Sequence, residues 1–222
     1  THVSYRSLNG RANALAAQLA AADAGTGCLV AVIMPACIEV PLSFLAIMKS
    51  GAAFAPLDSD WPEERLTAAL ERLAPVMVLH LASTTRRWAW PSLQVDWRQL
   101  PLQADGRKAT SVDAPIYAMH TSGSTGTPKA AVNLHSGILN RLAYMDRCFG
   151  TQADDVVLQT THHCFDSAVW QFFWPLSRGG ICVMREPVLY TDPEHLREQI
   201  TRHGVTLTDF TPTLLEVFTR HL

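Results

Sequence analysis

The residues best equipped for chemistry lie between Tyr117 and Asn133, in the run YAMHTSGSTGTPKAAVN. A short apolar stretch, Ile116 to Met119, leads into Thr121, Ser122, Gly123, Ser124, Thr125, Gly126, Thr127, Pro128 and Lys129, and Ala130 to Val132 leads out. Gly123 and Gly126 let the backbone turn where a side chain would clash. The hydroxyls and bared N–H groups then form a concave ring of donors, and Lys129 adds a point charge. Such a ring suits phosphate oxygens. The same composition also describes an ordinary polar surface loop. It is not the common P-loop, which needs Gly directly before Lys and Ser or Thr after it. Here Pro128 precedes Lys129 and Ala130 follows.

A second constellation is HHCFDSAVWQFFWPLSRGG, His162 to Gly180. Asp166 stands at the head of an apolar helical run, where an N-cap belongs. Residues four apart on a helix share a face, so Trp170 falls below Asp166 and Ser167 lies beside it. An aromatic wall with a carboxylate at its mouth suits an α-ammonium group, so a cap and a ligand site are both open readings. His162 and His163 are neighbours, and on an extended segment their side chains point to opposite faces. That disfavours a shared metal, so satisfied strand-end histidines are expected and no metal site is assigned. A catalytic H-H-x-x-x-D-G pattern fails too, since Asp166 comes one residue early and no Gly follows. Cys164 reads as a small buried residue rather than a nucleophile.

These groups must be positioned by regular elements. Leu8, Ala12, Leu15, Ala16 and Leu19 recur at helical spacing, so a helix is expected over Ser4 to Ala22. Cys28 to Met34 is near-continuously apolar, the pattern of a buried strand. A helix through Leu42, Leu45, Ala46 and Lys49 closes at Gly51, and Ala52 to Leu57 forms the next strand. Pro62, Glu63 and Glu64 open a third helix, where carboxylates suit the macrodipole. Val76 to Leu81 is a third strand. Ser83 to Ala114 loses periodicity, apart from a short strand near Leu93 to Val95. Beyond the polar loop come a helix from His135 to Cys148, a strand at Val156 to Gln159, the helix after Asp166 and a strand at Gly180 to Met184. Asp192 and Pro193 open another helix, Val205 to Phe210 is a last strand, and Thr211 to His221 a last helix. The alternation predicts an α/β chain of layered, parallel-rich sheets with flanking helices. Two lobes are expected, residues 1–100 and residues 101–222, the second holding the polar loop.

Bulk properties narrow the partners. Of 222 residues, 48% are hydrophobic and 17% charged, which marks a buried globular chain rather than a disordered one. The formal charge of −2 with scattered Lys and Arg argues against a nucleic-acid surface. Five cysteines without a C-x-x-C pair suggest reduced thiols and a cytoplasmic setting. The longest apolar run, Cys28 to Ile38, is too short to span a bilayer, so no membrane partner is expected.

The loop Thr121–Lys129 resembles the phosphate loop of the adenylate-forming superfamily, T-S-G-[ST]-T-G-x-P-K-G, with Ala130 in place of the closing Gly. Ser4 to Leu19 is similar to the L-T-Y-x-E-L-N-x-x-A-N-x-L-A signature of nonribosomal peptide synthetase adenylation domains. Met48 to Leu66 is similar to their L-K-A-G-A-A-Y-V-P-L-D-P-x-x-P-x-x-R-L, with Ser59 for the usual Pro. HSGILNRL, from His135 to Leu142, resembles the family's H-R-G-L-x-N-R-L helix. Phe165 to Trp170 resembles the segment F-D-A-S-V-W, whose Asp binds the substrate α-amino group. Ser167 and Ala168 have exchanged places, leaving Asp166 and Trp170 in register. TDFTPTLLEVF, Thr208 to Phe218, resembles the next pocket segment, so Asp209 is either a pocket-wall residue or a solvated strand end.

The resemblance implies an enzyme that joins an amino acid to ATP as an aminoacyl adenylate, releasing pyrophosphate. It then passes the acyl group to the phosphopantetheine thiol of a peptidyl carrier domain beside other synthetase domains. By that register Thr121, Ser122, Gly123, Ser124, Thr125, Gly126, Thr127 and Lys129 hold the β- and γ-phosphates with Mg²⁺, and Lys129 and Thr125 act in catalysis. Asp166, Ser167, Trp170 and Asp209 meet the amino acid. A carboxylate and a hydroxyl facing the side chain would favour a polar, donor-bearing amino acid. An acyl- or aryl-acid CoA ligase of the same superfamily is the alternative, and would have no use for Asp166. A non-catalytic fragment is the other. The family's N-x-Y-G-P-T-E and T-G-D motifs and its small C-terminal lobe with a catalytic Lys do not occur in these 222 residues. The chain is therefore expected to be an incomplete N-terminal core that does not adenylate alone.

Overall fold

The computed structural model describes residues 1–104, 106, 110–121, 129–150, 152, 154–185 and 192–220. Helix α1 (Tyr5–Ala21) begins after Ser4, whose side chain accepts the Ser7 N–H. Strand β1 (Leu29–Met34), helix α2 (Glu39–Ser50), strand β2 (Ala53–Asp58), helix α3 (Glu63–Leu73) and strand β3 (Met77–Leu81) follow in the expected order. After β4 (Ser92–Val95) come the hairpin strands β5 (Pro115–Thr121) and β6 (Lys129–Leu134). All six share one sheet, in the order β4-β3-β1-β2-β5-β6. Every neighbouring pair is parallel except β5 with β6.

Strand β1 lies between its two partners, so the chain steps to β2 on one side and returns past β1 to β3. Right-handed crossovers then put α2 and α3 on opposite faces. The packing agrees. Leu66, Ala69, Leu70 and Leu73 of α3 pack with Ala31, Ile33, Ala55, Leu57, Val78 and Ala118. Phe44 of α2 stacks on Phe54 of β2, ring centroids 4.0 Å apart. Because β1 is covered on both faces, its interior carries no polar residue. Helix α3 starts at Glu63 with Pro62 just outside it, and ends on Ala74 at φ +44°, a left-handed conformation without a glycine to relieve it.

The connection after β4 is strapped to α1. Arg11 donates to the carbonyls of Trp97 and Leu100, and Asn13 Nδ2 donates to Gln103 O at 2.9 Å. Gly10 lets the strap approach, since a Cβ there would stand 3.2 Å from Leu102. The signature residues of the first helix thus serve packing.

The chain divides into two compact units, Thr1–Gly137 and Ile138–Leu222. The division falls after Gly137 rather than after residue 100, because β5 joins β2 and brings β6 into the first sheet. Helix α4 (His135–Phe149) begins at this junction. In the second unit, β7 (Val156–Leu158) and β8 (Ile181–Val183) pair in parallel through helix α5 (Ser167–Arg178). Gly180 is fixed by space, since a Cβ would stand 2.7 Å from Asp155 O. Leu142 and Met145 of α4 pack with Val157, Trp170 and Trp174. Asp146 accepts from Trp174 Nε1 at 2.8 Å and pairs with Arg178. The strand expected at Val205 to Phe210 is reduced to a single bridge, Val157 to Leu207, followed by helix α7 (Pro212–Thr219). Helix α6 (Pro193–His203) precedes it, capped by Asp192, which accepts the Glu194 N–H.

Candidate functional site

The phosphate-type loop spans a hairpin. Thr121 and Lys129 form the final pair of the β5–β6 ladder, and Thr121 Oγ1 donates to Lys129 O at 3.3 Å. The mouth of the hairpin is thereby held closed by backbone pairing, with the Lys129 side chain exposed. Ser122, Gly123, Ser124, Thr125, Gly126 and Thr127 lie outside the described residues.

Just inside this mouth, His120 packs edge-on to Trp61, ring centroids 6.1 Å apart. Arg65 lies over the Trp61 ring, 3.8 Å from its centroid. Among the described residues neither ring nitrogen of His120 has a hydrogen-bond partner. Burial, then the charges of Arg72 and Arg65, hold its pKa below the ordinary 6.5. This aromatic and basic support was not read from the sequence. The signal available was Trp61, Arg65 and His120 on elements that a parallel sheet would bring together.

In the second unit, Asp166 occupies the cap position of α5, but its side chain makes no cap hydrogen bond and is exposed. A cap is therefore not what the carboxylate supplies. Ser167 is half-buried. Trp170, expected below Asp166 on a pocket wall, is only 4% exposed and belongs to the apolar cluster around Trp174. Its Nε1 has no hydrogen-bond partner among the described residues.

Asp209 is neither a solvated strand end nor an unpaired carboxylate. Its Oδ1 accepts from Gln171 Nε2, from Thr160 Oγ1 at 3.2 Å and from Thr161 Oγ1 at 3.5 Å. Gln171 is fully buried, and its Oε1 accepts the Thr161 N–H at 3.2 Å. The energetic case for a donor-bearing amino acid therefore weakens, because the protein itself satisfies this carboxylate. Gln171 went unrecognised in sequence. The signal was a polar residue inside VWQFFW, which costs energy when buried unless it is bonded.

His162 and His163 correct another expectation. The segment turns rather than running extended, and the two rings stack with centroids 4.3 Å apart and planes 25° apart. Cys164 is half-buried. None of the five cysteines is in a disulfide, and burial pushes the thiol pKa of Cys37 and Cys182 up to about 12, Cys37 also through Glu39.

A family model described as AMP-binding enzyme matches residues 1–222. The chain belongs to that family. It is 34% identical over 219 residues to vanchrobactin synthetase VabF of Vibrio anguillarum, covering 96% of this chain and 8% of that one. It is 34% identical over 223 residues to enterobactin synthase component F of Escherichia coli (strain K12), covering 99% of this chain and 17% of that one. The nonribosomal peptide synthetase FmoA3, in its α-methyl-L-serine-AMP bound form, superposes with a TM-score of 0.89 at 24% identity. That match covers 100% of this chain and 25% of FmoA3, and shows the shared fold. The chain thus spans less than a fifth of the two curated relatives. Among the described residues, no helix is long and apolar enough to cross a membrane.

Proposed function

We propose that the protein carrying this chain activates an amino acid by joining its carboxylate to the α-phosphate of ATP. The carboxylate oxygen attacks α-phosphorus, the bond to the bridging oxygen breaks, and pyrophosphate leaves. The thiol of a phosphopantetheine on a carrier domain of a cytoplasmic multidomain synthetase then attacks the acyl carbon, the acyl–phosphate bond breaks, and AMP leaves as the thioester forms. No protein nucleophile is needed. Rate comes from positioning and from neutralising phosphate charge.

The observation that carries this reading is Asp166, an exposed carboxylate at the head of α5 with no cap hydrogen bond to make. A charge-assisted bond to an α-ammonium is the work this arrangement supports. Ser167 would meet the rest of the amino acid, Trp170, buried in the cluster around Trp174, would back the pocket wall, and Asp209, whose Oδ1 accepts from Gln171 Nε2, would line it. In the first unit, Thr121 to Lys129 would hold the β- and γ-phosphates, with Thr125 and Lys129 acting in catalysis. Thr121 and Lys129 offer a hydroxyl and an ammonium, a set that fits phosphate oxygens rather than a cation. Mg²⁺ would therefore arrive on the phosphates, where it supplies further charge neutralisation.

The test is ATP–pyrophosphate exchange by the intact protein. Exchange that depends on an amino acid supports the proposal. Exchange with simple carboxylic acids only would make it an acyl- or aryl-acid ligase, and none with either class would leave a non-catalytic piece.

A further inference from the structure

The paired histidines and the following cysteine are not used by the proposed reaction. One side-chain ligand atom from each of His162, His163 and Cys164 lies within 4.8 Å of the others. We propose that these three side chains form a site for a borderline-soft divalent cation, with Zn²⁺ preferred. A tetrahedral Zn²⁺ site has metal–ligand bonds of about 2.0 to 2.3 Å, so neighbouring ligand atoms stand roughly 3.3 to 3.7 Å apart. Closing the cluster to that spacing takes a shift of about one ångström. His162 and Cys164 are only partly buried and can move, whereas His163, 1% exposed, is the fixed member. The stacked rings must also rotate out of parallel, since a metal lies in the plane of each imidazole that binds it. His162 Nδ1 accepts the Cys164 N–H at 3.3 Å, a long bond that costs little to give up.

The donor chemistry selects the ion. A thiolate with two imidazoles suits Zn²⁺, whereas Mg²⁺ demands oxygen ligands in octahedral geometry. The site therefore does not compete for the magnesium that accompanies ATP. Three protein ligands leave a fourth position for water. Occupancy would pin the turn at residues 162–165, directly ahead of Asp166, and stiffen the entry to α5.

The experiment is titration of the intact, chelator-treated protein with Co²⁺ as a spectroscopic stand-in. A thiolate-to-cobalt charge-transfer band should grow, saturate at one ion per chain and vanish when Zn²⁺ is added. Cys164→Ala should remove it, and Cys148→Ala, at an exposed thiol elsewhere, should not. Because losing even an outer partner of a metal ligand costs about ten- to a hundredfold in affinity, His162→Ala should weaken Zn²⁺ binding at least about tenfold. Mg²⁺ at the same concentration should do nothing. If Cys164→Ala does not fold, alkylation of the wild-type protein decides. Zn²⁺ should slow modification of Cys164, located by peptide mass. No band, a band that survives Cys164→Ala, or no protection of Cys164 would overturn the proposal.

Discussion

Gln171 Nε2 donates to Asp209 Oδ1, joining the middle of α5 to a residue 38 positions further along the chain. The same amide nitrogen reaches Thr160 Oγ1 at 3.3 Å and Thr161 Oγ1 at 3.2 Å. One fully buried side chain thus holds together the end of β7, the helix and the segment after Leu207. Gln171→Leu keeps the volume and removes every donor. Leaving the partners unsatisfied should cost about 1–3 kcal/mol, read as a lower denaturation midpoint. Gln171→Glu should do no better, because it sets a second carboxylate against Asp209. Unchanged midpoints in both variants would mean that the network contributes nothing to stability.

Asp166 and Trp170 should separate cleanly. Asp166→Ala removes an exposed side chain without a cap bond, so stability should move by no more than about 0.5 kcal/mol. Amino-acid-dependent exchange should be abolished. Trp170→Ala empties the cluster around Trp174 and should cost about 3–5 kcal/mol. Parallel unfolding curves and exchange assays decide, and an Asp166→Ala protein with full exchange activity would remove the ammonium role.

Lys129 stands exposed at the hairpin mouth, so its loss should spare the fold. If it neutralises phosphate charge, Lys129→Ala should slow exchange tenfold or more, a change of about 1.4 kcal/mol or greater. Amino-acid affinity should barely alter. An unchanged exchange rate would leave residues 121–129 as an ordinary polar loop.

Ala74 closes α3 at φ +44° on the surface. A side chain in the left-handed region costs roughly 1–2 kcal/mol that glycine avoids. Part of this is offset by glycine's larger entropy loss on folding. Ala74→Gly should therefore raise the melting temperature slightly, and a lower one would show that the conformation carries no strain.

The histidines set a pH dependence. The pKa values of His120 and His135 are both lowered from the ordinary 6.5, His120 by burial and then by Arg72 and Arg65, His135 by burial. Below that pH the unfolded chain binds more protons than the folded one, so stability rises with pH across this window. It is complete above 6.5 and is lost as pH falls through the folded values. Melts from about pH 7.5 down to about pH 5 should show the decline, and His120→Phe should make it shallower. An identical slope in the variant would assign the decline to other groups.

Short-range pattern determined the elements. Leu8, Ala12, Leu15 and Leu19 place one face of α1 in the core because a helix repeats every 3.6 residues, and the unbroken apolar run of β1 requires cover on both faces. The apolar runs flanking Thr121 to Lys129 were legible too, since they are local, but their pairing as strands β5 and β6 was not. Contacts between distant residues were not. Periodicity says which face of α5 is buried, but not that Gln171 meets Asp209, because that partnership arises only when Leu207 bridges to Val157. Likewise the apolar flanks of the loop do not say which sheet they join. The pairing of Tyr117 with Phe54 decides that, and moves the division of the chain to Gly137. The histidine pair depended on backbone direction: an extended chain separates adjacent side chains, and the turn at His162–Cys164 brings their rings together.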